Sequence, residues 1–111
     1  MAIQRVPDSS PAAAVSLLQG EGPRLIFKHS PTCGISNRAF TEVSVFADAH
    51  PDLPIHLVDV LAQRSLSRQI ALELHLTHES PQVILVVDGQ LLWNASHGGV
   101  TAQAIERALG I

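Results

Sequence analysis

Leu25-Ile26-Phe27-Lys28-His29-Ser30-Pro31-Thr32-Cys33-Gly34-Ile35-Ser36 is the stretch on which the fold turns, because a short apolar strand gives way within it to a helix, with a cysteine at the junction. Pro31, Thr32, Gly34 and Ser36 mark that junction as a surface turn, so Cys33 is read as an accessible thiol and not as a small core residue. A thiol at a helix N-terminus faces unpaired backbone N–H groups and the positive end of the helix dipole, which both favour the thiolate. No other cysteine exists in the chain. Any oxidised form of Cys33 therefore involves a second molecule.

Outward from this junction the pattern is regular. After Cys33, apolar residues recur at helical spacing through Ile35, Ala39, Val43, Phe46 and Ala47, while Asn37, Arg38, Thr41, Glu42 and Asp48 take the opposite face. Pro51 and Pro54 stop that helix near His50. Ile55 to Val60 alternates as a strand does, and Leu66, Ile70 and Leu74 then describe a second amphipathic helix. Val83 to Val87 is a continuous apolar run suited to a central strand, and Asp88-Gly89 turns it into a hairpin with Leu91-Leu92-Trp93. A last helix, capped by Thr101, aligns Ala102, Ile105 and Leu109. Ahead of the first strand, residues 1–10 read as loosely ordered and residues 11–19 as a helix ending at Gly20. The expected order is a helix followed by βαβαββα, a mixed four-stranded sheet flanked by helices. Thioredoxin and glutaredoxin cores share this order, with the reactive cysteine after the first core strand.

The length of 111 residues suits a single domain over 1–111 with a sizeable core, and 46% hydrophobic against 15% charged residues fits a globular class. A net charge of −3 with seven scattered basic residues excludes a nucleic-acid partner from the expectation. The first twenty residues have no continuous apolar stretch, and no segment reaches membrane-spanning length, so a cytoplasmic location without a membrane partner is expected. Reducing conditions there keep a lone thiol free.

Four separated strings, Phe27-Lys28-His29-Ser30, Thr32-Cys33-Gly34-Ile35-Ser36, His78-Glu79-Ser80-Pro81-Gln82 and Trp93-Asn94-Ala95-Ser96-His97, resemble the monothiol bacilliredoxins, the YtxJ-like group of bacillithiol-system proteins. The resemblance runs from about Arg24 to the C-terminus. It implies a thioredoxin-like oxidoreductase that removes bacillithiol from mixed disulfides on S-thiolated client proteins, using Cys33 followed three residues later by Ser36. No permanently bound cofactor is implied. Bacillithiol or a similar low-molecular-weight thiol serves as co-substrate, and a partner reductase or a second free thiol restores Cys33. Where the family commonly has proline after the cysteine, this chain has Gly34, which leaves the first helical turn less rigid.

The site implied is Cys33 as nucleophile, supported by Thr32, Gly34, Ile35 and Ser36, with Ser80, Pro81, His78 and His97 toward the substrate. The helix dipole alone contributes less than about one pKa unit, so strong activation calls for hydrogen bonds to the sulfur, from the backbone N–H groups of Ile35 and Ser36 and the Ser36 hydroxyl. Ser80-Pro81 matches the cis-proline position of thioredoxin-like proteins, which leaves the Ser80 backbone free to pair with a bound thiol or client segment. His29, His78 and His97 are candidates for tuning the thiolate if they converge on Cys33. Lys28 reads either as a solvated strand end or as a cation near the thiol, and Trp93 as a packed strand residue. Competing readings are a glutaredoxin-like protein using another small thiol and a non-catalytic thioredoxin-like adaptor. Metal binding through His75, His78 and Cys33 is a further one, but single cysteine and scattered histidines lack the compact ligand pairs of a structural zinc site, and no metal is expected.

Overall fold

The computed structural model describes residues 3–111. In chain order the elements are β1 (Ile3–Arg5), α1 (Ala13–Leu18), β2 (Pro23–His29), α2 (Gly34–Ala49), β3 (Ile55–Asp59), α3 (Arg64–Leu74), β4 (Gln82–Val87), β5 (Gln90–Ser96), a 3-10 turn at His97–Gly99, and α4 (Ala102–Leu109). The strands form one sheet in the order β1-β3-β2-β4-β5. β2 lies at its centre, parallel to β3 with Phe27 opposite Leu57 and His29 opposite Asp59, and antiparallel to β4 with Ile26 opposite Ile84.

Burial follows from that position. Leu25, Ile26 and Phe27 are all fully buried because both faces of the sheet are covered. Ile26, Val58, Ile84 and Val86 face a cluster with Leu17 and Leu18 of α1 and Leu66 and Ile70 of α3. Leu25, Phe27, Val83 and Leu85 face Val43 and Phe46 of α2 and Ile105 of α4 on the other side. Asp88 and Gly89 take φ of 52° and 81°, the double left-handed geometry of a tight hairpin turn, for which Asp-Gly is suited. Thr101 caps α4 as its sequence position suggests, its hydroxyl accepting the Ala104 N–H at 3.1 Å. Glu42 of α2 accepts the first N–H of α4, from Ala102, at 3.0 Å.

Two expectations need correction. Residues 1–10 are not loosely ordered throughout: Ile3–Arg5 adds a fifth, parallel edge strand, with Ile3 opposite Ile55 and Arg5 opposite Leu57. Met1 and Ala2, which that expectation also covers, lie outside the described residues. The segment is held by partners far away in sequence, since the Val6 N–H donates to the Leu57 carbonyl at 2.9 Å and the buried Gln63 amide donates to the Val6 carbonyl at 2.6 Å. The second correction concerns α2. Ile35, expected on its buried face, is 56% exposed, and Ser36 is fully buried in its place.

Candidate redox site

The sulfur-bearing residue sits where β2, at the centre of the sheet, hands over to α2. The chain leaves β2 at His29 and closes a turn in which the Cys33 N–H donates to the Ser30 carbonyl at 3.1 Å. It enters α2 with Cys33 as the N-cap, at φ −106° and ψ 126°, and with the Cys33 carbonyl accepting the Asn37 N–H at 3.0 Å. Cys33 is half-buried, while Pro31, Thr32, Gly34 and Ile35 around it are exposed. The junction therefore presents the thiol at the surface, at the head of a 16-residue helix.

Ser36 has a different task from the one expected of it. Its hydroxyl makes no bond to the sulfur. It accepts the Ser30 N–H at 2.9 Å and shares a hydrogen bond with His29 Nδ1 at 2.8 Å, fastening the loop from beneath. The N–H groups of Ile35 and Ser36 likewise do not cap the Cys33 side chain. The Ser36 hydroxyl thus fixes the loop that leads to Cys33 and not the sulfur itself. His29 is itself pressed between Phe27 and Phe40, with ring centroids 5.4 and 5.1 Å away. Burial lowers its pKa, against partial opposition from Asp59 and the Ser36 bond, so His29 is neutral near pH 7.

The other candidate residues divide between the two faces of the sheet. His97, at the end of β5, lines an open groove of 850 Å³ with Gly34, Ile35, Arg38, Gly98 and Thr101. Its Nε2 pairs with the Glu79 carboxylate and its backbone N–H donates to the Pro81 carbonyl at 2.9 Å, which links the groove to the 78–81 segment. The Ser80–Pro81 peptide is cis, as the resemblance implies. The Ser80 backbone is unpaired among the described residues, and its buried hydroxyl has no partner either.

His78 goes the other way, so the three histidines do not converge on Cys33. Its Nδ1 lies 3.1 Å from the Lys28 ammonium and 3.3 Å from the Ser67 hydroxyl of α3. Burial, then the Lys28 and Arg68 charges, lower the His78 pKa, with Glu79 acting in the opposite sense. Lys28 is neither a solvated strand end nor a group at the thiol surface: it is fully buried, donates to the Ser67 carbonyl at 2.9 Å, and is brought by burial to a pKa of about 8. No sequence pattern marks it, since a lysine at a strand end ordinarily reaches water. Trp93 packs partly buried against the cluster of Phe27 and Val83. Among the described residues, no three His, Cys, Asp or Glu side chains gather as metal ligands, and no helix is long and apolar enough to cross a membrane.

Comparison with known proteins agrees with this geometry. Residues 8–105 match the family described as monothiol bacilliredoxin BrxC. A solved structure described as a proposed oxidoreductase with a thioredoxin fold is 28% identical, with a TM-score of 0.87, over 97% of this chain and 94% of its own. Mitochondrial thioredoxin 3 from Saccharomyces cerevisiae is 21% identical, with a TM-score of 0.72, over 98% of this chain and 94% of its own. Thioredoxin from Plasmodium falciparum is 13% identical, with a TM-score of 0.71, over 97% of this chain and 95% of its own. The fold is thioredoxin-like.

Proposed function

The chain belongs to the monothiol bacilliredoxin family, and on that premise we propose that it removes a low-molecular-weight thiol, bacillithiol, from mixed disulfides on client proteins. The observation that carries this reading is a single half-buried cysteine at the head of α2, flanked by exposed residues and an open groove, in a chain with no second thiol. The Cys33 thiolate attacks the small-thiol sulfur of the mixed disulfide. A Cys33–small-thiol disulfide forms as the client–small-thiol bond breaks, and the client leaves as a thiolate that takes up a proton. A second small thiol or a dithiol reductase then attacks the mixed disulfide on Cys33, restoring the thiolate and carrying away the two electrons' worth of oxidation. Ser36 cannot resolve the intermediate.

The groove along Ile35, Arg38 and His97 offers apolar and polar contacts beside the reacting sulfur, and the unpaired Ser80 backbone offers a place for an extended segment. The test is to incubate wild type and Cys33→Ser protein with a bacillithiol-modified client and to follow both partners by intact mass. Wild type is expected to free the client and gain one bacillithiol, and Cys33→Ser to do neither. Equal release by both proteins overturns the reading. In a parallel incubation with a glutathione-modified client, a glutathione adduct forming in preference to the bacillithiol adduct transfers it to another small thiol, and no adduct with either client favours a non-catalytic adaptor.

A further inference from the structure

A second concave site lies on the α3 face of the sheet. It is a cavity of 300 Å³ lined by Val60, Leu61, Arg64, Ser67, Arg68 and His78. Arg64 and Arg68 stand one helical turn apart on α3, so they share a face. Among the described residues neither forms an ion pair. Beneath the lining is a third cation, the buried Lys28 ammonium, 2.9 Å from the Ser67 carbonyl and 3.1 Å from His78 Nδ1. An ammonium has no lone pair, so His78 Nδ1 is the acceptor and the neutral ring carries its proton on Nε2.

Buried charge is ordinarily paired with an opposite charge, yet both hydrogen-bond partners of Lys28 are uncharged. The carboxylates adjacent in the chain are committed elsewhere. Asp59 accepts the N–H groups of Leu61 and Ala62 at 2.9 and 3.0 Å, and Glu79 pairs with His97. In a chain of net charge −3, three cations gathered at one cavity, none of them ion-paired among the described residues and the neighbouring Asp59 and Glu79 carboxylates engaged in other bonds, are a conspicuous local excess. They repel one another unless something negative comes between them.

We propose that this cavity is a binding subsite for a small oxyanion, a carboxylate or phosphate group, held by the Arg64 and Arg68 guanidiniums over the buried Lys28 charge. Guanidinium pairs carboxylate and phosphate oxygens through two parallel N–H donors, and the low dielectric beneath strengthens the attraction of the ammonium. The cavity lies at the same end of the parallel strands as the thiol, for Val60 at its rim, just past β3, donates to the carbonyl of His29, the last residue of β2, from which the Cys33 loop departs, at 3.0 Å. The anion is either a carboxylate of the low-molecular-weight thiol, which rests on the reading of function above, or a free anion acting independently of exchange.

The experiment titrates Cys33→Ser protein, which cannot exchange thiols, with inorganic phosphate and with succinate at constant ionic strength, following the His78 ring signals by NMR. A saturable shift is expected with at least one anion, together with a higher His78 pKa in its presence than in chloride. The Arg64→Gln, Arg68→Gln double variant is expected to bind about tenfold more weakly or worse, with an unchanged fold by circular dichroism. Exchange kinetics of the double variant in the Cys33 background then identify the source. A raised KM for the thiolated client with kcat retained assigns the site to the small thiol, and an unchanged KM assigns it to a free anion. No saturable shift of His78 with either anion, or equal shifts in the double variant, overturns the proposal. Because binding is read in protein lacking the thiol, failure of the exchange reading leaves this result standing, and the reverse.

Discussion

The Ser36 hydroxyl lies 2.8 Å from His29 Nδ1 and accepts the Ser30 N–H at 2.9 Å, so one buried side chain in the first turn of α2 holds the last residue of β2 and the loop to Cys33 together. Ser36→Ala leaves both partners unsatisfied in a protected setting, at a cost of about 1–3 kcal/mol. Urea denaturation is expected to register that loss. Amide exchange at Ser30 and Cys33 is expected to accelerate beyond the global change, because the turn between them loses its tether. Unaltered exchange at Ser30 would mean that the hydroxyl does not hold the loop.

Lys28 gives the molecule an unusual dependence on pH. Burial lowers its pKa from 10.5 to about 8, so between those values the unfolded chain binds more protons than the folded one, and stability rises with pH. The gain is fully expressed above the unfolded value and lost as pH falls through the folded one. It amounts to at most on the order of 3 kcal/mol. Denaturation midpoints of wild type and Lys28→Met, measured from pH 7 to 10.5, are expected to diverge in this window, with wild type gaining on the variant. Parallel curves would show that the ammonium carries no burial penalty.

What could be read in advance was whatever local pattern determines. Leu25–Phe27, Val83–Val87 and the Asp88-Gly89 turn declare a central strand pair and a hairpin, because both-face burial and a double left-handed turn each restrict the residues allowed. The position of Cys33 at the strand-to-helix junction followed from the same reasoning. Non-local effects were hidden. Ile3–Arg5 is too short and too polar to show periodicity, and it is a strand only because the edge of β3 is open to it. At the start of α2, apolar spacing selects Ile35, but adjacent positions differ by about a hundred degrees around a helix, and the polar needs of His29 and the Ser30 N–H turn Ser36 inward. The burial of Lys28 depends on Ser67 and His78, distant in sequence, and nothing next to Lys28 announces them.

Gln63 is the clamp on the N-terminal segment. It is 1% exposed, its carbonyl oxygen accepts the Asp59 N–H at 3.0 Å, and its amide donates to the Val6 carbonyl at 2.6 Å. Gln63→Leu, similar in volume, removes these bonds together with the amide's third one, to the Ser9 hydroxyl at 3.1 Å, and is expected to destabilise the protein by about 1–3 kcal/mol. Exchange of the β1 amides should rise first, since a three-residue edge strand has few other restraints. Uniform loss of protection across the sheet, with β1 no more affected than β4, would assign Gln63 a general packing role.

Gly34 stands where the family resemblance implies proline, and it is open to reversal. It is the first residue of α2, exposed, and an added Cβ meets nothing within 4 Å. Cys33 before it is extended at φ −106° and ψ 126°, the region a residue preceding proline prefers. The Gly34 N–H is among the first-turn donors that lack an intrahelical partner, so a proline here forfeits no helical bond. Gly34→Pro removes freedom from the unfolded chain and is expected to stabilise the fold by about 0.4–1 kcal/mol, raising the melting temperature by about 2–6 °C. Alkylation of Cys33 by iodoacetamide separates this backbone effect from chemistry. A rate retained near the wild-type value is expected, because the loop is held by Ser36 and not by the Gly34 N–H. A fall of about tenfold or more, equal to about 1.4 kcal/mol in the barrier, would show instead that this N–H sustains the thiolate.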